Sequence, residues 1–133
     1  MLRVVLDTNV LVSATISNGK PRELLRKGIL NQFSIVTSDL LLKELVTVVR
    51  RPKFKTSEDE IHSIILALIW SSKVVSVKSK FKVIREDTKD DMIINTAYDG
   101  HADIIVTGDK HLLEFEDFRG IKIATVETAL DLL

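Results

Sequence analysis

The sequence predicts an α/β fold with a central, mainly parallel β-sheet. Short and almost uninterrupted apolar segments alternate with longer segments of helical periodicity. Parallel strands are covered on both faces, so they appear in a sequence as continuous apolar runs. With 133 residues, 45% of them hydrophobic, the chain has the size of one domain with a packed core. We therefore expect residues 1–133 to form a single domain.

Six short segments are predicted to be strands. Each contains a few apolar or β-branched residues and is bounded by polar or turn-forming residues. They cover residues 2–6, 33–38, 74–77, 81–84, 103–107 and 121–125.

The segments between the strands are predicted to be helices. Pro21 is a favourable first helical residue, and Pro52 ends a later helix. Ser57 and Glu60 have the spacing of a capping box, which Thr88 and Asp91 repeat, and we expect Thr125 to cap the last helix. The first predicted helix begins near residue 10. The others cover residues 21–30, 38–51, 57–72, 88–100, 110–115 and 127–133.

Composition excludes several kinds of site. Cysteine is absent, which excludes disulfides, thiolate zinc sites and cysteine nucleophiles. The three histidines, His62, His101 and His111, lack the short helical spacings of zinc hydrolases. Any metal site should therefore be built mainly from oxygen ligands.

We expect a cytoplasmic protein without membrane contact. No apolar run approaches the roughly 18 residues needed to cross a bilayer. Asp7 also interrupts the N-terminal segment where a signal peptide would continue apolar.

Nineteen basic residues balance nineteen acidic ones, so the formal net charge is zero. No global field attracts a polyanion, and nucleic-acid binding requires local basic patches. Such patches can also be ordinary solvated faces. Two clusters qualify as candidates: Lys73, Lys78, Lys80, Lys82 and Arg85, and Arg50, Arg51, Lys53 and Lys55.

Four acidic residues, Asp7, Glu44, Asp91 and Asp109, lie where predicted strands lead into helices. Ligands bind to open α/β sheets at the carboxyl ends of the strands. Two carboxylates about 4 Å apart repel by roughly 4 kcal/mol at an effective dielectric near 20. A hard divalent cation such as Mg²⁺ or Mn²⁺ relieves that repulsion.

Each of these acids also has a structural explanation. Asp7 and Asp109 can cap the helices that follow them, Asp91 can complete its capping box, and Glu44 can be a surface charge at the edge of an apolar helix face. Asp90 neighbours Asp91 but points about 100° away on a helix. We favour Asp91 and keep Asp90 as the more exposed alternative.

The motifs LDTNV, DDMIINTA and IIVTGDKHLL, with an acidic residue in the helix after the second strand, resemble the PIN-domain family. The resemblance covers almost the whole chain and is greatest to single-domain, VapC-like toxin ribonucleases. It implies a three-layer α/β/α fold. By resemblance, the family's catalytic, metal-binding acids correspond to Asp7, Glu44, Asp91 and Asp109. The polar positions that support the site correspond to Thr8, Asn9 and Thr107, and His111 is a possible further ligand.

The resemblance implies a divalent-metal-dependent endoribonuclease that cleaves RNA through metal-activated water. It also implies a homodimer and an antitoxin that blocks the acidic groove with a basic side chain. Two alternatives stay open: a housekeeping PIN nuclease in RNA processing, and a non-catalytic module whose acidic groove binds a basic partner. A phosphoacceptor signalling domain is disfavoured, because DTN follows the first strand where that class has paired acids.

Overall fold

A six-stranded sheet forms the centre of the described structure. The computed structural model describes residues 1–83 and 88–133. The strands are β1 (Arg3–Leu6), β2 (Ser34–Ser38), β3 (Ser72–Val75), β4 (Ile104–Val106), β5 (Asp117–Phe118) and β6 (Ile121–Ala124). Their order in the sheet is β3-β2-β1-β4-β6-β5, and all neighbouring strands are parallel except β5 and β6.

Helices cover both faces of this sheet, as expected for parallel strands. Alternate residues of β1 belong to opposite layers: Val4 and Leu6 pack in one hydrophobic cluster and Val5 in the other. The helices are α1 (Thr8–Ile16), α2 (Lys20–Ile29), α3 (Asp39–Val49), α4 (Glu58–Ser71), α5 (Thr88–Asp99), α6 (Lys110–Leu113) and α7 (Val126–Leu132). The first cluster takes in α1, α2, most of the buried face of α3, α4 and α7, and the second takes in α5 and α6. The predicted three-layer α/β fold is confirmed.

The helix ends follow their sequence signals. The Ser57 hydroxyl accepts the Glu60 amide at 3.1 Å, and the Glu60 carboxylate accepts the Ser57 amide at 3.4 Å, so the predicted capping box is present. Thr125 caps α7 by accepting the Thr128 amide. The Thr88 side chain lies outside the described residues. Within the described ranges, no helix has an apolar stretch long enough to span a membrane.

Two strand predictions need correction, and one strand was missed. The strand expected at 74–77 is β3, two residues earlier, because α4 continues directly into it. The short β5 was not predicted. Residues 81–83 of the segment expected at 81–84 form no strand, because the Phe81 and Val83 amides bond to side chains of α5 instead of to a neighbouring strand. Residue 84 lies outside the described part.

This topology brings three strand ends to one edge of the sheet. Strands β2 and β4 flank β1 and run parallel to it, with Val5 in register with both Val36 and Ile105. The chain leaves β1 at Asp7, leaves β2 into α3 at Ser38, and leaves β4 at Thr107. Side chains just beyond these strands therefore lie around one point.

Candidate metal centre

A cavity of about 230 Å³ lies at the carboxyl ends of β1 and β4. Asp7, Thr8 and Asn9 reach it from the start of α1, and Glu44 reaches it from α3. Four further charged residues line it: Arg51, Lys89, Asp90 and Asp109. Three of the four acids expected at the site, Asp7, Glu44 and Asp109, therefore line one cavity, and so do the expected supporting residues Thr8 and Asn9.

Asp7 is the most deeply placed of these three acids, with 4% of its surface exposed. Its Oδ2 accepts a hydrogen bond from the Thr107 hydroxyl at 2.5 Å, and its Oδ1 accepts the Asn9 amide at 3.4 Å. Asp7 is thus also the N-cap of α1. Its capping role and its position in the cavity coexist, because one carboxylate oxygen is enough to cap a helix.

The pKa of Asp7 is raised above its ordinary value. Burial is the main cause, since it disfavours the charged form, and the negative charge of Asp109 adds to the effect. Hydrogen bonds from Thr107, Asn9 and Thr8 act in the opposite direction without cancelling it. A bound cation would stabilise the ionised form of this carboxylate.

The Thr107 hydroxyl connects two acids of the cavity. It donates to Asp7 and accepts the Asp109 amide at 3.0 Å, and Thr107 itself is fully buried. The same threonine therefore orients the Asp7 carboxylate and fixes the turn that presents Asp109. The structure therefore places Thr107 in contact with two of the acids expected at the site.

Asp109 lies close to two other potential ligands. One donor atom each from Asp90, Asp109 and His111 lies within 4.8 Å of the others. The Asp109 Oδ1 also caps α6 by accepting the His111 amide at 2.8 Å and the Leu112 amide at 3.2 Å. Converging carboxylates of this kind fit a divalent cation of the Mg²⁺ or Mn²⁺ type, with His111 as an optional nitrogen ligand.

Lys89 supplies positive charge at the cavity. Its Nζ lies 3.0 Å from the Glu44 Oε1, and the Glu44 side chain is only 18% exposed. Arg51 also lines the cavity. A cavity that combines acids with two cationic side chains can bind a metal ion and a phosphate group together.

Asp91 does not line this cavity. Its Oδ1 accepts the Val83 amide at 2.7 Å, on the neighbouring face of α5. Asp90, 4% exposed, lines the cavity in its place. Successive helical residues point about 100° apart, so the two adjacent acids cannot share one direction.

The sequence contained a signal that distinguishes these two acids. Asp91, Asn95 and Asp99 are four residues apart and therefore lie on one face of α5. All three accept backbone amides of the segment 78–83. A polar stripe that runs the length of the helix indicates a structural partner, whereas Asp90 lies outside it. Arg51 belongs to one of the two basic clusters identified in the sequence, whereas Lys89 carried no signal there.

We expect Thr107→Val to destabilise the protein and to change the pH dependence of its activity, although every acid of the site is kept. The substitution keeps the side-chain shape but removes the hydrogen bonds to Asp7 and Asp109, at a cost of about 1–3 kcal/mol in the free energy of unfolding. It also removes an interaction that lowers the pKa of Asp7. The pKa of Asp7 should therefore rise further, and the acid limb of the pH–rate profile of any metal-dependent activity should move to higher pH.

Urea unfolding and a pH–rate profile check this prediction. Thr107→Ser is the matched control, because it keeps the hydroxyl and should preserve both stability and pH profile. An unshifted profile in a folded Thr107→Val protein would show that this hydroxyl does not tune Asp7.

Comparison with known proteins identifies the family of this chain. A sequence profile described as PIN domain matches residues 3–111, most of the chain. The chain belongs to the PIN-domain family. PIN domains are generally nucleases, and they usually use divalent metal ions.

One relative and one solved structure of similar fold extend the comparison. An uncharacterized protein of Methanocaldococcus jannaschii is 36% identical over 120 residues, which cover 87% of this chain and 76% of that protein. The crystal structure of VapBC2 from Rickettsia felis, bound to a DNA fragment from their promoter, matches with a TM-score of 0.63 and 18% identity. The match covers 93% of this chain and 98% of that one. At this identity the structural match supports the PIN fold.

Proposed function

We propose that this PIN domain is a divalent-metal-dependent endoribonuclease and the toxin of a toxin–antitoxin pair. The observation that carries the proposal is the convergence of Asp7, Glu44, Asp90 and Asp109 on one cavity at the carboxyl edge of the sheet. These four acids are the proposed metal-binding and catalytic set. Asp90 takes the place that we gave to Asp91 from the sequence.

The chain's own residues have distinct roles in this proposal. Asp7 and Asp109 present carboxylates that Thr107 holds in place, and Glu44 and Asp90 complete the negative site from α3 and α5. Lys89 and Arg51 contact the non-scissile oxygens of the substrate phosphate. A bound Mg²⁺ or Mn²⁺ would polarise the scissile phosphate and activate a water for in-line attack, which leaves 5′-phosphate and 3′-hydroxyl ends.

Incubation of the purified protein with total RNA tests the activity. We expect cleavage in Mg²⁺ or Mn²⁺, none in EDTA, and 5′-phosphate and 3′-hydroxyl ends when the products are sequenced. Products with 2′,3′-cyclic phosphates would contradict the mechanism, because such ends arise by attack of the RNA's own 2′-hydroxyl.

The toxin assignment has its own support and its own test. The fold resembles that of VapBC2, a pair of proteins that was crystallised with promoter DNA. The resemblance of the sequence to VapC-like toxins further implies a homodimer, and an antitoxin that places a basic side chain in the acidic cavity. Lys89 already pairs with Glu44 at 3.0 Å, so the cavity accommodates a cationic group.

Expression of this chain alone should arrest growth, and co-expression of a neighbouring small gene should relieve the arrest. RNA cleavage without growth arrest favours the housekeeping nuclease instead. If wild-type protein neither binds Mn²⁺ nor cleaves RNA, the cavity is an interaction site for a basic partner.

A further inference from the structure

The segment 78–83 runs along α5 and is fixed to it by side chains of the helix. The Asp99 carboxylate accepts the Lys78 amide at 2.6 Å, the Ser79 amide at 2.9 Å and the Ser79 hydroxyl. Asn95 accepts the Phe81 amide at 2.8 Å and returns a hydrogen bond to the Phe81 carbonyl at 3.2 Å. Asp91 accepts the Val83 amide at 2.7 Å.

We call these hydrogen bonds between the segment 78–83 and α5 the ladder. The distance that each element advances per residue explains its regular spacing. Two residues of extended chain advance about 6.6 Å, and one helical turn of four residues advances about 6 Å. Every second amide of the segment, at Ser79, Phe81 and Val83, therefore meets every fourth side chain of α5. The ladder keeps the segment extended without a neighbouring strand.

The hydrogen bonds of the ladder change the pKa of Asp99. Burial by itself would raise the pKa of Asp99, but the hydrogen bonds from the Ser79 side chain, the Ser79 amide and the Lys78 amide lower it below its ordinary value. The charged form of this carboxylate is therefore the one that the ladder stabilises.

The ladder also decides which side chains face outward. Ser79, Phe81 and Val83 are half-buried against the helix, whereas Lys78, Lys80 and Lys82 are exposed. We call these three exposed lysines the lysine ridge. Their Cα atoms repeat about every 6.6 Å, which is comparable to the separation of adjacent phosphates in an extended single-stranded nucleic acid.

Further contacts give the ridge a rigid base. The Phe81 ring packs edge-on against Tyr98 with centroids 4.8 Å apart, and edge-on against Phe118 at 5.4 Å. The Arg119 guanidinium lies 4.9 Å from the centroid of the Phe81 ring and adds a fourth cation beside the ridge. Arg119 comes from the turn between β5 and β6, far from the lysines in sequence.

The ridge leads toward the metal centre. Its last residue, Lys82, precedes Val83, which is bonded to Asp91, and the adjacent Asp90 lines the acidic cavity. From Asp99 to Asp91 the ladder covers about 12 Å of helix. A strand that follows the ridge would therefore arrive beside the cavity within a few nucleotides.

We propose that the lysine ridge is the binding track for a single-stranded RNA substrate, with Lys78, Lys80 and Lys82 contacting successive phosphates on the way to the acidic cavity. The inference rests on the proposed ribonuclease function and deepens it. The lysines contact the phosphate backbone of the RNA, so the ridge contributes affinity without selecting bases. Such a track requires an unpaired strand, because duplex phosphates do not follow one straight row of this repeat.

The test compares two triple variants that lose the same charge. The ridge variant carries Lys78→Gln, Lys80→Gln and Lys82→Gln. The matched control carries Arg26→Gln, Lys27→Gln and Lys122→Gln. Arg26 and Lys27 lie on α2 on the opposite face of the sheet from α5, and Lys122 is exposed on β6. Thermal unfolding followed by circular dichroism verifies that both variants remain folded.

Fluorescence anisotropy in EDTA measures the binding of a labelled single-stranded RNA of about twelve nucleotides. We expect the ridge variant to bind about tenfold to hundredfold more weakly at low salt, and its slope of log Kd against log salt to fall by about 2. The control should change by no more than about threefold, because charges distant from the RNA are screened.

An equal loss of RNA affinity in both variants would overturn the proposal, since only the net charge of the protein would then matter. Unchanged binding by the ridge variant, or a loss seen only with duplex RNA, would overturn it as well. Binding is measured without metal, so it is independent of cleavage. If wild-type protein binds RNA but does not cleave it in Mn²⁺, and the ridge variant loses that binding, the nuclease proposal fails and the ridge stands as an RNA-binding surface. If wild-type protein cleaves and the ridge variant binds normally, only the ridge fails.

Discussion

Asp7→Asn is expected to abolish metal-dependent RNA cleavage while the protein stays folded. The substitution is isosteric, and the new carboxamide oxygen can still accept the Thr107 hydroxyl that Asp7 binds at 2.5 Å. What it loses is the negative charge of the most deeply buried of the expected acids. Metal-ion stabilisation of a phosphoryl transition state amounts to several kcal/mol, so cleavage should fall by at least about a hundredfold.

The same substitution is expected to stabilise the metal-free protein at neutral pH. Burial and the Asp109 charge raise the pKa of Asp7 above its ordinary value of 3.8. Between the two pKa values the folded state retains a proton that the unfolded state has released, so stability falls as the pH rises through this range and stays lower above it. The substituted carboxamide carries no such charge. The stability advantage of Asp7→Asn should therefore appear as the pH rises above about 4 and vanish below it.

Urea unfolding in EDTA at several pH values measures the difference in the free energy of unfolding between Asp7→Asn and wild-type protein. Added Mn²⁺ should reduce this difference, because it stabilises the wild-type protein. The control is Asp131→Asn, which removes an exposed carboxylate of α7 and should change neither cleavage nor the pH dependence. Retained Mn²⁺-dependent cleavage by a folded Asp7→Asn protein would sink the assignment of this acid.

Asp90→Asn should abolish most of the cleavage, whereas Asp91→Asn should leave it nearly unchanged, although the two residues are adjacent. Asp90 lines the acidic cavity and has a donor atom within 4.8 Å of Asp109 and His111. Its substitution should reduce cleavage by at least about a hundredfold, for the same reason as at Asp7. Asp91→Asn keeps an oxygen that can accept the Val83 amide, so this variant should cleave at close to the wild-type rate.

A third variant separates structure from chemistry at Asp91. Asp91→Ala removes the acceptor of the Val83 amide, which should cost about 1–3 kcal/mol in the free energy of unfolding. Its metal affinity should remain. If Asp91→Asn were inactive and Asp90→Asn active, the residue that we favoured from the sequence would be the ligand.

The sequence was sufficient to predict the fold wherever a strand is buried on both faces. Strands β1, β2, β4 and β6 lie within about a residue of their predicted bounds, because apolar runs of this kind have few other structural solutions. Residues 81–83 were misassigned for a physical reason: they are extended, but their hydrogen-bond partners are side chains of α5. Apolar content alone cannot distinguish an extended segment on a helix from a strand in a sheet.

The candidate site could be predicted only in part. Asp7, Glu44 and Asp109 follow buried strands that are neighbours in the sheet, so their convergence follows from topology. The direction of Asp90 depends on the rotation of α5, which is set by the packing of Ile93, Ile94 and Ala97 against the sheet. The pairing of Lys89 with Glu44 joins two helices and has no local signature.

Calorimetric titration with Mn²⁺ tests the central claim most directly, because it requires neither an RNA target nor an antitoxin. The claim is that Asp7, Glu44, Asp90 and Asp109 form one divalent-metal site. Wild-type protein and Asp91→Asn should bind Mn²⁺ with similar affinity, and Asp7→Asn and Asp90→Asn should bind it at least about tenfold more weakly. Absence of Mn²⁺ binding by the folded wild-type protein, or normal binding by Asp90→Asn, would contradict the account.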